Sequence, residues 1–422
     1  MMHRKPFHLA IATAAIAGLA LAGCTASGSD DGTVELTVWH YWDGTNADTF
    51  DAMVDEYNAS HPGVKISTSN VPNADFRTKL RAAATSDTLP DIAIGDLIWV
   101  PQINEMGKLA DLAGVVADEV LADINPALTS FGTIDGKQVS VPVSANNLAY
   151  MFNRTLFEEA GLDPEQPPTT WDELIAAGKQ IVAKTGKPGY DLFTQAGSDG
   201  EGLTWNFQVN LWQAGGEFLT EDNSAAAFNT PEGLAALDYW LELIDSGVSP
   251  YGKWGEFEKG QGGSAQEGSW MVGIWAADPP FDFGVAKVPA PEGGVETTNL
   301  GGEQAMVFDN GDAEVEAAGD FLSWFLDPEQ VTSWSEATGM LPVLNSVATS
   351  EDYLGWVDEN QPLLRPYVEQ MPTAHARPNS PIYPQISLAF AQQLERAFSG
   401  EIGAQEALDA AEKAVNDVIA EG

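Results

Sequence analysis

A single cysteine stands in 422 residues, so no disulfide can close within the chain and no multi-cysteine zinc site can form. Histidine is scarce at five, and the 19 Lys and Arg are outnumbered by 62 Asp and Glu, a formal charge of −43. Such a chain repels nucleic acid and, at long range, anionic solutes, although a local arginine cluster acts within a Debye length. Otherwise the charge describes a well-solvated surface. No Walker A motif is present, and Gly260-Gln261-Gly262-Gly263 lacks the third glycine and the strand context of a dinucleotide loop. No Gly-x-Ser-x-Gly elbow occurs, and Asp309-Asn310-Gly311-Asp312 has the wrong spacing for an EF-hand. No cofactor and no metal are expected.

What is present begins with a processing signal. Basic Arg4 and Lys5 precede an apolar run over 9–21, too short to span a bilayer comfortably, and then comes Leu21-Ala22-Gly23-Cys24. These four residues resemble the bacterial lipobox, which implies cleavage after residue 23 and lipid on the Cys24 thiol. An ordinary secreted protein with a chance cysteine is the competing reading. Residues 24–33, rich in Ser, Gly and Asp after the cysteine, read as a flexible tether. Without the signal, 17 bases face 62 acids, a formal −45. The expected place is the extracytoplasmic face of the cell membrane, held by the lipid.

The body is long enough for two cores, since one core stops growing near roughly 250–300 residues. Residues 34–39 alternate like a half-buried strand, and Phe50, Met53, Val54 and Tyr57 follow at helical spacing up to the turn His61-Pro62-Gly63. A strand over 64–68, a helix over 76–84 and a buried strand in Leu89-Pro90-Asp91-Ile92-Ala93-Ile94 complete a βαβαβ pattern, hence a parallel sheet covered by helices. A second unit follows a strand over 139–143 and opens with one over 148–152. Thr170 and Glu173 form a capping box, and Thr230-Pro231 starts a helix whose stripe Leu234, Leu237, Leu241, Ile244 is closed by Gly247. Strands are expected over 270–275 and 283–288, and helices over 312–325, 384–398 and 404–420. No repeat of fixed period is visible.

Several segments, in order, resemble the extracellular solute-binding proteins of bacterial ABC sugar importers, the maltose-binding-protein type. They are Pro90-Asp91-Ile92; Pro142 with Leu148-Ala149-Tyr150-Met151-Phe152-Asn153 and Leu156-Phe157; and Pro168-Thr169-Thr170-Trp171-Asp172-Glu173-Leu174. Gly268-Ser269-Trp270, Gly284-Val285-Ala286 with Pro289, Gly301-Gly302, and Thr338-Gly339-Met340-Leu341-Pro342-Val343 complete the series. The resemblance implies an α/β fold of two lobes, periplasmic-binding-protein-like, each lobe a mostly parallel sheet flanked by helices, with a ligand cleft between them. Lobe one would comprise about 34–143 and 301–342, lobe two about 144–300 and 343–422. It further implies a monomer that is not an enzyme, binds a neutral carbohydrate of oligosaccharide size, and delivers it to the permease subunits of an importer.

Sugar recognition calls for flat apolar faces and planar polar groups in a desolvated cleft. His40, Tyr41, Trp42 and Asp43 follow the first strand, and Asp96 and Trp99 follow the third, where open α/β sheets place ligands; core packing of the aromatics competes. From the resemblance, Asn146 and Asn147 after the crossover are ligand contacts, with a turn cap as the alternative. Trp270 stands where the family stacks a sugar, and Trp205 where a second aromatic is found, although Trp205, Val209 and Trp212 also repeat at core-helix spacing. Gly301, Gly302 and Glu303 either bring backbone close to a ligand or form a plain hinge turn. Arg365 and Arg377 are candidate donors to hydroxyls or partners of the many acids. His375 and Tyr383 come from the same region.

Two other classes stay open. A glycoside hydrolase would use a cleft of tryptophans and carboxylates, but carboxylate pairs are uninformative among 62 acids and the eightfold regularity of a TIM barrel is missing. A surface glycan-binding adhesin would share the anchor without ligand-driven closure.

Overall fold

Strand-to-helix alternation in the sequence becomes two main sheets joined by crossing segments, beside two small two-stranded ones. The computed structural model describes residues 32–276 and 278–422, so the signal, Cys24 and most of the tether lie outside the described residues. The main sheets are built from β1 (Val34–His40), β2 (Val64–Asn70), β3 (Ile92–Asp96), β4 (Ser140–Pro142), β5 (Leu148–Asn153), β6 (Ser264–Gly268), β7 (Phe283–Ala286) and β8 (Glu303–Val307).

The first sheet has the order β2-β1-β3-β8-β4. Its β2-β1-β3 part is parallel, with the helices Gly44–Ser60 and Asn73–Ser86 as crossovers. Phe50, Met53, Val54 and Tyr57 are the buried stripe of the first helix, as their spacing predicts. Phe50 meets Phe321 and Phe325 of the helix Asp312–Phe325 and Trp334 of the helix Pro328–Thr338 in edge-on contacts. β8 is antiparallel to both β3 and β4.

The second sheet, β6-β5-β7, is antiparallel throughout, which corrects the expectation of a mostly parallel sheet in each lobe. The reason is the crossing topology. β5 leads away from the junction, whereas β6 runs back toward it, and β8 likewise enters the first sheet from the other side. The junction is three segments side by side: Asn146 exchanges two backbone hydrogen bonds with Gly301 at 2.9 and 3.0 Å, and Ala145 exchanges two with Leu341 at 2.7 and 3.1 Å. Glycine is required here, because a Cβ on Gly302 would lie 2.3 Å from the Ser144 carbonyl oxygen.

The capping box forms: the Thr170 hydroxyl accepts from the Glu173 amide, and the Glu173 carboxylate accepts from the Thr170 amide, each at 3.2 Å. Residues 270–275 are not a strand. Trp270–Ile274 is a short helix, packed against the helices Gly44–Ser60 and Pro328–Thr338. A brief apolar run reads alike in either state, and here packing decides. A Cβ on Gly273 would sit 2.0 Å from the Thr338 carbonyl oxygen, so the two helices meet backbone to backbone.

Candidate ligand-binding site

The carboxyl ends of β1 and β3, the crossing segments and two helix starts from the other side converge on one cavity of about 340 Å³. Tyr41, Trp42 and Asp43 reach it from the turn after β1, and Asp96 from the end of β3. Asn146, Gly302 and Glu303 form the junction side. Opposite them stand Trp205 of the helix Glu201–Gln213, Trp270 and Arg377.

Trp205 and Trp270 make the apolar wall. Their rings are 11° from parallel with centroids 5.9 Å apart, and both pack on a small cluster of Leu148, Val209 and Val288. The helical repeat through Val209 is therefore real packing, and Trp205 still borders the cavity. Trp270 owes its place to the glycine before it: a Cβ on Gly268 would fall 2.0 Å from the Trp270 Cζ3. The ring folds back over the strand end that glycine leaves free.

Arg377 is the polar pivot, only 3% exposed. Its Nη2 donates to Asp96 Oδ1 at 2.8 Å, and its Nη1 donates to Glu201 Oε1 at 2.8 Å and to Asp96 Oδ2 at 3.3 Å. The guanidinium lies 5.1 Å from the Trp205 ring centre. Burial opposes its charge, but Asp96 and Glu201 outweigh that and hold the pKa above the ordinary arginine value. Glu201 is pushed up by burial, against the pull of Arg377. Glu303 is buried too: Tyr41 Oη donates to its Oε1 at 2.9 Å and the Ser144 hydroxyl donates to its Oε2. Burial drives its pKa up to about 8, with the Tyr41 bond pulling down and Asp96 pushing further up. Asn46 Oδ1, Asn146 Oδ1, Trp205 Nε1 and Arg377 Nε, all on lining residues, are buried without a hydrogen-bond partner among the described residues.

Seven expected residues do not line this cavity. His40 is 1% exposed, set edge-on to Phe50 at 5.1 Å, because the pleat turns it inward; burial lowers its pKa. Trp99 borders a neighbouring chamber of about 250 Å³, together with Arg77, Asp199 and Glu201. Asn147 is fully buried and donates to the Tyr367 carbonyl oxygen at 2.9 Å, a structural tie. Gly301 lies behind Asn146, where a Cβ would strike Asn146 Oδ1 at 2.2 Å. Arg365 is on the outside, its Nε donating to Asp358 at 2.7 Å. Tyr383 is buried behind Glu201, with its hydroxyl 3.4 Å from Glu201 Oε1. His375 stacks on Trp212 instead.

Asn46, Asn73, Ile274 and Met340 also line the cavity, and Glu201 stands behind Arg377. Asn73 follows a strand as Asp96 does, so the strand-end rule reaches it; Met340 lies inside the Thr338 to Val343 motif. Nothing local marks Glu201.

A profile of bacterial extracellular solute-binding proteins matches residues 52–358. The chain belongs to that family. This solute-binding protein is 74% identical to the cyclic alpha-maltosyl-1,6-maltose binding protein from Arthrobacter globiformis, whose crystal structure it matches with a TM-score of 0.85 over 93% of this chain and 100% of that one. A solute-binding protein from Thermotoga lettingae, solved with alpha-D-tagatose, is 26% identical with a TM-score of 0.80, over 92% and 100% of the two chains. The maltotriose-binding protein of Pyrococcus abyssi is 23% identical over 363 residues, 83% of this solute-binding protein and 74% of that relative. The fold is the two-lobed α/β fold of these proteins.

Proposed function

We propose that this protein is the extracytoplasmic solute-binding component of an ABC importer, which holds an uncharged oligosaccharide between its lobes and hands it unaltered to the membrane permease. The observation that carries the reading is the wall of near-parallel Trp205 and Trp270 beside buried, unpartnered polar atoms. An indole face suits the C–H side of a pyranose, and idle donors and acceptors suit its hydroxyls. Arg377, the one Lys or Arg on the lining among the described residues, has both Nη groups engaged, which leaves little for a phosphate. The Arthrobacter relative makes cyclic alpha-maltosyl-1,6-maltose the first sugar to try.

Lobe one is taken as about 34–143 and 301–342, and lobe two as about 144–300 and 343–422; pairing of the three crossing segments near those bounds supports the division. In this reading Cys24 carries the lipid, the protein acts as a monomer at the outer membrane face, and the energy-coupling ATPase is another polypeptide. Tryptophan fluorescence titrated with cyclic alpha-maltosyl-1,6-maltose should change saturably, survive EDTA, and return the sugar intact. Shorter sugars in the eluate would mark a glycoside hydrolase, and binding without any change in hydrodynamic radius an adhesin. Cys24→Ser should abolish metabolic fatty-acid labelling; labelling that persists removes the anchor.

A further inference from the structure

Among the described residues, Glu303 differs from Asp96 and Glu201, which share Arg377, in making no ion pair. It is the first residue of β8 and pairs in register with Asp96 on β3, so two carboxyl groups stand on adjacent strands at one end of the cavity. The titratable and charged groups that face it are Tyr41 and Asp43 from the turn after β1, Asp96 from β3, and Arg377 from the far side, with Glu201 behind Arg377. Arg377 already gives Nη1 and Nη2 to Asp96 and Glu201. The hydrogen-bond partners of Glu303 are the hydroxyls of Tyr41 and Ser144, and a neutral carboxyl keeps Tyr41 as donor to Oε1 while its own O–H turns to the Ser144 oxygen, which can accept. Were Glu303 ionised, the cleft would hold Asp96, Glu201 and Glu303 against one guanidinium, with Glu303 itself buried and Asp96 and Glu201 only partly exposed. A buried charge without a counter-ion is neutralised more cheaply than it is solvated.

We propose that Glu303 is the proton-carrying positioning residue of the cleft: its neutral carboxyl is the form on which the lobes close over an uncharged sugar, and closing takes one proton from solvent onto that carboxyl. The proposal rests on the reading that a neutral oligosaccharide occupies this cavity. The upward displacement of the Glu303 pKa to about 8, chiefly by burial, agrees with it. A carboxyl raised in the closed state favours closing fully below its ordinary value of about 4.3, and that advantage is lost as pH rises toward the raised value. Affinity therefore falls across the interval between the two, and releasing the sugar returns the proton.

The test is calorimetric titration of the whole protein with cyclic alpha-maltosyl-1,6-maltose from about pH 5.5 to about pH 8.5, in two buffers of different ionisation enthalpy. Wild type should lose about tenfold or more in affinity and take up a proton on binding near neutrality, whereas E303Q, which keeps an oxygen for Tyr41, should stay within about twofold across the range. An unchanged slope in E303Q, or no proton uptake by wild type, overturns the proposal. If this sugar fails to bind at any pH, it is the choice of sugar that falls. Glu303 is then decided without it: the infrared carbonyl band of a protonated carboxyl, present in wild type and missing in E303Q, must disappear on alkaline titration, and its absence at neutral pH also overturns the proposal.

Discussion

Arg365 and Arg377 come from one Pro-rich stretch, and each is paired with acid, yet they do opposite things. Arg365 meets one carboxylate, Asp358, on the outer surface, where water screens the pair. Arg377 is sealed in: two carboxylates converge on it, from β3 and from the helix Glu201–Gln213, and an indole covers its face. The difference is not residue type or partner type. It is the number of acceptors that meet where water is excluded, and the fact that one of them, Asp96, belongs to the first sheet while Glu201 comes from the other side.

The comparison breaks most visibly at Arg377. Arg377→Met leaves the partly buried Asp96 and Glu201 without their cation, a change that removes about 3–5 kcal/mol in fully buried pairs and at most that here. Urea unfolding should show a loss of that order. Arg377→Lys should recover only part of it, because one ammonium cannot reproduce a fork spanning two carboxylates. An Arg377→Met protein with the wild-type unfolding midpoint would mean that the buried cluster holds nothing, and the contrast with Arg365 would vanish.

Trp270 sharpens the contrast by separating holding the wall from holding the sugar. Its ring is only partly buried and borders the cavity, although it packs on both the small cluster and the main core, so Trp270→Ala should weaken sugar binding by roughly 2–4 kcal/mol, as at an interface hot spot, and alter folding stability less. Trp270→Phe should keep part of the affinity. If Trp270→Ala instead unfolds while any folded remainder binds normally, Trp270 belongs to the core and the cavity has been assigned the wrong wall.

Local signals in the sequence carried a long way. The helix Asp312–Phe325 has the bounds its pattern predicts, the Thr170 and Glu173 box closes, and Tyr41, Trp42, Asp43 and Asp96 reach the cavity because strand ends do so in open sheets. What was illegible depends on distant partners. His40 reads like Tyr41 until the pleat assigns one inward and the other to the cavity. Asn147 resembles Asn146, but its amide meets the Tyr367 carbonyl from far along the chain. The antiparallel second sheet follows from which way each crossing segment enters, and no local pattern records that. Glu201 shows the same limit, since only the folded chain brings it to Arg377.

The smallest expected effect is the most demanding check on the comparison. Arg365→Ala deletes an ion pair whose acid remains in water, so nothing is left stranded in a dry interior, and exposed pairs of this kind add little because ordering two long side chains offsets their attraction. Two measurements should both stay near wild type: the unfolding midpoint within about 2 °C and the sugar Kd within about twofold. The backbone context argues the same way, since Arg365 opens the short helix Arg365–Gln370 while the buried Tyr367 and Gln370 hold that helix to the body. Tyr367 Oη donates to the Glu267 carbonyl oxygen at 3.1 Å, and Gln370 Nε2 donates to the Leu148 carbonyl oxygen at 3.2 Å, bonds that Arg365→Ala leaves intact. A loss of affinity in Arg365→Ala approaching that of Trp270→Ala would show that the outer surface communicates with the cleft through this helix, and burial would no longer explain why the two arginines differ.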